Sequence, residues 1–229
     1  MNTITFKHPG SGFTFHIREN TSDRWVIDDV FDQQVYKFSP DMVSDGGVIL
    51  DVGGNIGAFS MYAAKLCPSA RVIAYEPEPE NMVLFLRNIR DNGFEVDGNI
   101  TVWNKAVSNE RGMGKILGNF GSSRLLATGH EGLQGDYADC QTVTLADVFE
   151  DNQIFVCDFF KCDCEWSEYL IFDTTPEILC RIKRIAMEYH PVTKDEFTAF
   201  AERLARTHNV DASPWREKCT GYLSATLRD

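Results

Sequence analysis

One stretch reads Val48-Ile49-Leu50-Asp51-Val52-Gly53-Gly54-Asn55-Ile56-Gly57-Ala58-Phe59-Ser60, an apolar run that ends in an acid and is followed by glycines. This pattern predicts a buried strand, a tight turn and the start of a helix. Free N–H groups at a helix start are available to bind an acceptor. Because Gly53, Gly54 and Gly57 do not fit the Gly-x-Gly-x-x-Gly register of dinucleotide-binding folds, the spacing argues against a pyrophosphate cofactor.

A second short strand favours a cofactor that contains a nucleoside. Residues 71–77 read Arg-Val-Ile-Ala-Tyr-Glu-Pro, so this strand also ends in an acid, Glu76. In doubly wound sheets such an acid accepts hydrogen bonds from both ribose hydroxyls. The two strand ends together favour S-adenosylmethionine. Asp51 is expected either to tie the glycine turn or to bind the cofactor's amino group, and a purely structural acid is the alternative.

Five motifs, in this order, resemble those of the FkbM family of S-adenosylmethionine-dependent methyltransferases. They are the 51–60 stretch, Tyr75-Glu76-Pro77-Glu78-Pro79-Glu80-Asn81, Asn104-Lys105-Ala106-Val107-Ser108, Phe160-Lys161-Cys162-Asp163-Cys164-Glu165 and Glu188-Tyr189-His190. The resemblance covers about residues 22–190. It implies an α/β fold of the class I methyltransferase (Rossmann-like) type, with a doubly wound, mostly parallel seven-stranded sheet and a C-terminal antiparallel hairpin.

The resemblance also implies which residues contact S-adenosyl-L-methionine. They lie in the glycine turn, at the Glu76 strand end, in the turn beneath the adenine and at the Asp163 strand end: Asp51, Gly53, Gly54, Asn55, Gly57, Glu76, Pro77, Lys105, Ala106 and Asp163. Gly53 is expected to lie on the cofactor's path, so that Gly53→Val should block binding in a folded protein. No metal ligand set is expected.

One residue departs from the family pattern. The family usually reads Lys-Ile-Asp-x-Glu-Gly-x-Glu, whereas here Trp166 stands where glycine is usual. An indole cannot occupy a glycine's space without moving the backbone or filling a pocket. Trp166 is therefore expected to form a wall of the acceptor site, or else to turn outward onto the following helix.

Four residues are candidates for catalysis. Residues 154–160 are predicted to form the fourth parallel strand, which leads into Lys161, Asp163 and Glu165, and His190 ends the fifth. Ligands bind outside the carboxyl ends of such strands, so these side chains should share one crevice. The carboxylates are expected to hold the methionine ammonium, orient the acceptor or remove its proton, with a metal site or a solvated acidic turn as the alternatives.

The other two candidates have more than one expected role. His190 is expected to keep the ordinary pKa of a histidine and to act as the base, with a structural histidine as the alternative. Lys161 is expected to neutralise the carboxylates or a developing oxyanion, or to serve only as an ion-pair partner.

Composition restricts the partners of the chain. The 229 residues carry a formal net charge of −12 and no basic run, which disfavours nucleic acid and anionic membrane surfaces. The seven cysteines show no regular framework spacing and follow no signal peptide, which predicts reduced thiols in a cytoplasmic protein. The expected partner is a small-molecule acceptor, and a homodimer is left open.

The chain divides into a short N-terminal cap, residues 1–45, and a cofactor-binding methyltransferase domain, residues 46–229. A hairpin at residues 3–7 and 13–18 and a helix from Thr21 to about Phe38 are predicted within the cap. The cap either closes over the cofactor or is a packing appendage. The glycine-rich segment 108–138 is predicted to be an excursion that borders the acceptor pocket or forms a surface loop.

Two other functions fit the same sheet class. A dehydrogenase that uses NAD is disfavoured by the glycine register and by Pro77. A catalytically silent binding protein is disfavoured by the strand-end acids, although Trp166 favours it. Methyl transfer to a hydroxyl, or to an amine, of a natural product, sugar or amino-acid-like molecule is the leading hypothesis.

Overall fold

The N-terminal segment begins with a hairpin and one short helix. The computed structural model describes residues 2–96, 98–118, 124–126, 137–173, 176–190, 192–215 and 219–228. Antiparallel strands β1 (Thr3–Lys7) and β2 (Thr14–Arg18) form the predicted hairpin. Helix α1 (Asp23–Asp28) continues into a π-helical turn at Asp29–Gln33, and a 3-10 turn follows at Pro40–Met42.

The predicted helix to Phe38 is too long. The helix ends at Gln33 because Gln34 adopts a left-handed backbone with φ of 50°. A left-handed residue interrupts the helical hydrogen-bond ladder, so the chain turns at this point. This turn brings Tyr36 and Phe38 into the protein interior, where both are buried.

Strands and helices then alternate as the sequence predicts. They are β3 (Val48–Val52), α2 (Ala58–Leu66), β4 (Arg71–Tyr75), α3 (Pro79–Asp91) and β5 (Ile100–Trp103). Pro79 opens α3, since its fixed φ suits a first helical turn. Gly93 follows α3 with φ of 79°, the conformation in which glycine commonly stops a helix.

The glycine-rich excursion builds a second sheet where it is described. Its strands are β6 (Ala106–Ser108), β7 (Gly112–Leu117), β8 (Arg124–Leu126) and β9 (Tyr137–Thr144), in the spatial order β6-β9-β7-β8. Residues 119–123 and 127–136 of the excursion lie outside the described residues. Helix α4 (Leu145–Asp151) starts with a capping box between Thr144 and Asp147.

The second half of the chain completes the main sheet. Its elements are β10 (Phe159–Cys162), α5 (Glu168–Ile171), α6 (Pro176–Leu179), β11 (Arg184–Tyr189), α7 (Lys194–Leu204), β12 (His208–Ala212) and β13 (Gly221–Leu227). The prediction that the fourth parallel strand begins at Ile154 is wrong, because Phe155 is 84% exposed and the strand starts only at Phe159.

The main sheet has the predicted architecture. Its seven strands lie in the order β12-β13-β11-β10-β3-β4-β5. The run from β11 to β5 is parallel, whereas β13 and β12 pair antiparallel at the other edge. A doubly wound, mostly parallel sheet with a C-terminal antiparallel hairpin is therefore confirmed. The carboxyl ends of the parallel strands meet at one edge, where open sheets bind ligands.

Both faces of the sheet are covered. All five residues of β3 are buried. Leu50 and Phe160 pack on the side of α4 to α7, while Phe159 packs on the other side with α2 and α3. The N-terminal segment belongs to this second cluster, and the rings of Phe38 and Phe159 lie 4.8 Å apart between centroids. Among the helices in the described ranges, none has the length and apolar character of a membrane span.

Candidate active site

A cavity of about 350 Å³ opens along the carboxyl ends of the parallel strands. Its wall comes from the ends of β3, β4, β10 and β11, from the turn before β6, and from the N-terminal segment around α1. The volume lies within the range of small-molecule sites. Most sequence-predicted site residues line it: Gly53, Gly54, Asn55, Glu76, Pro77, Lys105, Ala106, Lys161, Asp163, Glu165 and His190.

The glycine turn is fixed on the neighbouring strands. The N–H groups of Gly53 and Gly54 each donate to the carbonyl oxygen of Tyr75 at 3.0 Å. Gly53 has φ of 81°, and a Cβ built there would lie 1.7 Å from the carbonyl oxygen of Asp163. Its small size is therefore required by the approach of two main chains, so a folded Gly53→Val protein is no longer expected. Gly53 also lines the cavity, and its place on the cofactor's path stays a prediction.

Gly57 lies behind the cavity wall. It has φ of 89° at the start of α2, and a Cβ built there would lie 2.4 Å from the ring of Phe85. Its lack of a side chain thus permits close packing of α2 on α3, and the residue is not among those that line the cavity.

Glu76 is a buried acid at the end of β4. Its Oε2 accepts from the Asn55 N–H at 2.7 Å, and its Oε1 accepts from the Glu78 N–H at 2.9 Å and from Asn81 Nδ2 at 3.2 Å. These donors fill three of roughly four acceptor positions of the carboxylate, which leaves Oε2 room for one ligand hydroxyl. Burial raises the pKa of Glu76 to about 7, although the three hydrogen bonds oppose the rise.

The turn after β5 adds a small residue and a cation. Asn104 Nδ2 donates to the carbonyl oxygens of Glu76 and Pro77, at 2.8 and 3.0 Å, and so ties this turn to the end of β4. Ala106 is buried at the cavity wall, where its methyl group takes little space. The Lys105 ammonium lies 4.8 Å from the centroid of the Trp103 ring.

Asp51 and Lys161 form an ion pair beneath the glycine turn. Asp51 is completely buried; its Oδ2 accepts from Ser60 Oγ at 2.6 Å, and its Oδ1 lies 3.1 Å from Lys161 Nζ. Lys161 Nζ also donates to the Gly53 carbonyl at 2.6 Å. Burial opposes the charge of Lys161, but Asp51 and Asp163 outweigh this effect and raise its pKa. Asp51 thus ties the turn from below, and it is not among the cavity-lining residues.

Asp163 receives a hydrogen bond from the N-terminal segment. Tyr36 Oη donates to Asp163 Oδ2 at 2.6 Å. Burial and the charge of Asp163 raise the pKa of Tyr36 well above its usual value, so the phenol remains a donor. Tyr36 was not identified from the sequence because its position depends on the left-handed turn at Gln34.

His190 is held between two carboxylates. Its Nε2 lies 3.1 Å from Glu165 Oε2, and its Nδ1 contacts Glu168 Oε1. Burial alone would lower the pKa of His190, but the hydrogen bonds and charges of Glu165 and Glu168 raise it to about 11. The expectation of an ordinary histidine pKa is wrong, and the imidazolium form is unsuited to accept a proton. Glu168, completely buried, is a site residue that the sequence reasoning did not single out.

Trp166 keeps a glycine-like backbone. Glu165 and Trp166 have φ of 52° and 73°, both in the left-handed region that side chains disfavour. The indole lines the cavity, and its ring lies 4.9 Å from that of His190 at an interplanar angle of 40°. Trp166 therefore forms a wall of the cavity rather than turning outward.

Glu188 is a second acid that the sequence reasoning missed. It lines the cavity from the end of β11, between the buried residues Met187 and Tyr189. Burial, followed by the charge of Asp163, raises the pKa of Glu188 to about 7. The signal was present, because Glu76 had been recognised from the same feature, an acid at the end of a buried parallel strand.

Across the described part of the chain, no three His, Cys, Asp or Glu side chains are grouped as metal ligands.

Two curated proteins are similar to parts of this chain. AMB antimetabolite synthetase AmbE of Pseudomonas aeruginosa PAO1 is 43% identical over 53 residues, which are 23% of this chain and 2% of that protein. Methyltransferase 1 of Beauveria bassiana is 34% identical over 65 residues, which are 28% of this chain and 25% of that protein. The chain thus matches a quarter or less of the length of these curated relatives.

Solved structures share the fold at low sequence identity. Precorrin-6y C5,15-methyltransferase of Geobacter metallireducens has a TM-score of 0.52 and 16% identity, over 93% of this chain and 94% of that one. The putative rRNA methylase of Clostridium thermocellum has a TM-score of 0.54 and 8% identity, over 86% of this chain and 95% of that one. This likeness shows a class I methyltransferase fold. The Methyltransferase FkbM domain matches residues 51–211. Since that match spans more than half of the sequence, the chain belongs to the FkbM methyltransferase family.

Proposed function

We propose that this protein transfers a methyl group from S-adenosylmethionine to a hydroxyl, or an amine, of a small molecule bound in the cavity. One observation carries the proposal: a single cavity joins the strand-end acid Glu76 to a second group of carboxylates that includes Glu165 and Glu188. The first acid suits a ribose, and the second group suits removal of a proton from an acceptor. Family membership supports the use of S-adenosylmethionine.

The residues around Glu76 fit such a cofactor. Glu76 Oε2 has one acceptor position left for a ribose hydroxyl, and its Asn55 N–H contact fixes the carboxylate. Pro77 and Ala106 present small apolar surfaces beside it, which suits a flat adenine. When bound, S-adenosylmethionine supplies a methyl group already activated on a sulfonium.

Glu188 is our choice for the base. With its pKa near 7, about half of it is ionised in neutral solution, and the ionised form is basic enough to take a proton from an acceptor. His190, kept positive by Glu165 and Glu168, has both ring N–H groups on these carboxylates and can instead orient Glu165 toward the acceptor. Asp163, held by Tyr36, can bind a cationic group or the acceptor itself.

The charge of the cavity supports a small acceptor without phosphates. Asp29, Asp163, Glu165 and Glu188 all line it. Of the lining cations, Lys161 and His190 are already paired with carboxylates, and the Lys105 ammonium lies against the Trp103 ring. A nucleic-acid backbone requires basic surface, and the net charge of −12 works against it. A neutral or cationic molecule is therefore favoured over RNA.

A binding assay separates this proposal from its rivals. S-adenosylhomocysteine should raise the melting temperature of the protein, whereas NAD should not. Protection by NAD alone would indicate a dehydrogenase. Labelled S-adenosylmethionine, incubated with a pool of metabolites, should then give a labelled product; binding without any transfer would indicate a silent binding protein.

The role of Glu188 is tested by Glu188→Gln. We expect kcat to fall by about 10²–10⁴-fold, because the amide cannot accept the proton, with affinity for S-adenosylhomocysteine preserved. Glu202→Gln, an exposed change on α7, serves as the matched control. Turnover of Glu188→Gln near that of the control would contradict the assignment of the base.

A further inference from the structure

A chain of buried polar groups runs from the N-terminal hairpin to the acid at the end of β4. Arg18, the last residue of β2, is 3% exposed, and its guanidinium donates to Asp23 through Nε at 3.0 Å and Nη2 at 2.7 Å. The same Nη2 donates to Asn81 Oδ1 at 2.6 Å. Asn81 Nδ2 in turn donates to Glu76 Oε1 at 3.2 Å.

This arrangement fixes which way the Asn81 amide points. An amide presents an acceptor on one side and donors on the other. Since Arg18 has only donors, the oxygen of Asn81 must face the guanidinium and its nitrogen must face Glu76. The reversed amide would direct its oxygen at the carboxylate and its N–H groups at the guanidinium, which is unfavourable at both ends.

We propose that Arg18 is a positioning residue for the cofactor site. Acting through Asn81, it holds the carboxylate of Glu76 in place and favours the ionised form of that carboxylate. Arg18 precedes the family match, which begins at residue 51, so the site depends on a segment outside that match. The proposal deepens the proposed function, since it rests on Glu76 as the carboxylate that binds the cofactor.

The competing explanation is a purely structural ion pair. Asp23 is completely buried and also accepts from the Arg18 N–H at 2.8 Å, so the pair joins β2 to α1 without any need for Asn81. A structural role would affect stability alone. A positioning role must also change the affinity of the site and the pKa of Glu76.

Arg18→Lys distinguishes the two roles. The lysine ammonium should stay beside Asp23 and so neutralise the buried Asp23 carboxylate. Because the lysine side chain is shorter, it should no longer contact the Asn81 oxygen. Asn81 can then turn away from Glu76. We expect affinity for S-adenosylhomocysteine to fall about 10-fold, the effect of one lost hydrogen bond to a charged group.

The pH dependence of binding gives a second readout. Ionised Glu76 accepts ligand hydrogen bonds better than the neutral acid, so affinity should rise as the pH passes through about 7 in the wild type. Loss of the Asn81 donor disfavours the ionised form, so Arg18→Lys should move this midpoint upward. Lys161 and Glu78, which also lie near Glu76, are unchanged in this variant.

Two further variants keep the test independent of folding. Asn81→Asp retains an acceptor for Arg18 but faces Glu76 with a like-charged oxygen in place of a donor, so it should bind S-adenosylhomocysteine at least 10-fold more weakly, with folding checked by circular dichroism. Arg24→Lys changes the Arg24–Asp28 pair of α1, the helix that begins at Asp23. This pair does not reach Glu76, so the variant should leave binding unchanged.

The outcomes are separable. If Arg18→Lys lowers the melting temperature while affinity and its pH midpoint match Arg24→Lys, the positioning role is overturned. If the wild type fails to bind S-adenosylhomocysteine, the proposed function fails instead. In that case the carboxyl carbon of Glu76, titrated by NMR in the ligand-free protein, still decides the role of Arg18: a raised pKa in Arg18→Lys supports it, and an unchanged pKa overturns it.

Discussion

Trp166 combines a disfavoured backbone with a wall of the cavity. Its φ of 73° costs a residue with a side chain about 1–2 kcal/mol, a cost that glycine avoids. Trp166→Gly should lose stability because the indole contact to His190 is removed. It should regain part of that stability because glycine has no cost at this φ. We expect a wider acceptor site, seen as altered selectivity in a panel of acceptors, with affinity for S-adenosylhomocysteine near wild type.

Trp166→Ala is the matched control for the backbone. Alanine removes the indole but keeps a side chain on the left-handed residue, so the glycine variant should be more stable by about 1 kcal/mol in urea denaturation. Equal stability of the two variants would remove the argument for strain. Acceptor selectivity identical to the wild type in both would show that the indole does not limit the site.

Individual site residues could be predicted from the sequence only where the local hydrophobic pattern determines their position in the fold. Glu76 was recognised because it ends an apolar strand, and the structure brings it to the cavity by that route. Tyr36 could not be found in this way, because its hydrogen-bond partner Asp163 lies 127 residues later in the sequence and the two meet only in the folded chain. The raised pKa of His190 could not be predicted either, because it depends on Glu165 and Glu168 lying on the two sides of the imidazole ring in the folded chain.

At the scale of elements, the sequence predicted what hydrophobic periodicity determines and missed what particular dihedrals determine. The alternation of strands and helices from β3 to β5 follows from apolar patterns and from Pro79 and Gly93. The end of the first helix does not, since Gln34 gives no sign in the sequence of its left-handed backbone. The start of β10 was misplaced because apolar Phe155 continues the strand pattern although it is exposed.

The junction between β3 and β10 depends on Gly53. A Cβ at this residue would lie 1.7 Å from the carbonyl oxygen of Asp163, so an added methyl group must push the two strand ends apart. We expect Gly53→Ala to lower the free energy of unfolding by about 3 kcal/mol or more, through overpacking and left-handed strain together. The methyl group of alanine is enough to test this clash, and the larger side chain in Gly53→Val should lower the free energy of unfolding further.

Gly46→Ala separates the clash from the strain. Gly46 also has a positive φ, 67°, but a Cβ there would meet nothing within 4 Å. The control should thus lose only the strain, about 1 kcal/mol in urea denaturation. A Gly53→Ala variant as stable as Gly46→Ala would mean that the two main chains can separate freely. In that event the interpretation of Gly53 as a packing glycine would be wrong.

Across the whole molecule, the N-terminal segment and the main sheet share one hydrophobic cluster. Phe15 and Phe38 of the segment belong to the same cluster as Ile49 and Phe159 of the sheet. Polar contacts reinforce this junction, among them those from Arg18 to Asn81, from the His16 N–H to Asn88 and from Tyr36 to Asp163. The segment is therefore expected to unfold together with the sheet rather than before it.

Phe15→Ala tests this cooperativity against a matched change elsewhere. Phe15 is completely buried, so its truncation should lower the free energy of unfolding by about 3–5 kcal/mol. Phe155→Ala removes the same side chain where it is 84% exposed and should change stability by less than about 0.5 kcal/mol.

The decisive measurement is whether one transition is seen. Circular dichroism of the whole chain and hydrogen exchange of the amides of β2 and β3 should give the same free energy of unfolding, and Phe15→Ala should lower both equally. If β2 exchanged at a lower free energy than β3 and Phe15→Ala affected β2 alone, the segment would be a separately unfolding cap. Positioning of Glu76 by Arg18 would then be available only in the fraction of molecules in which that cap is closed.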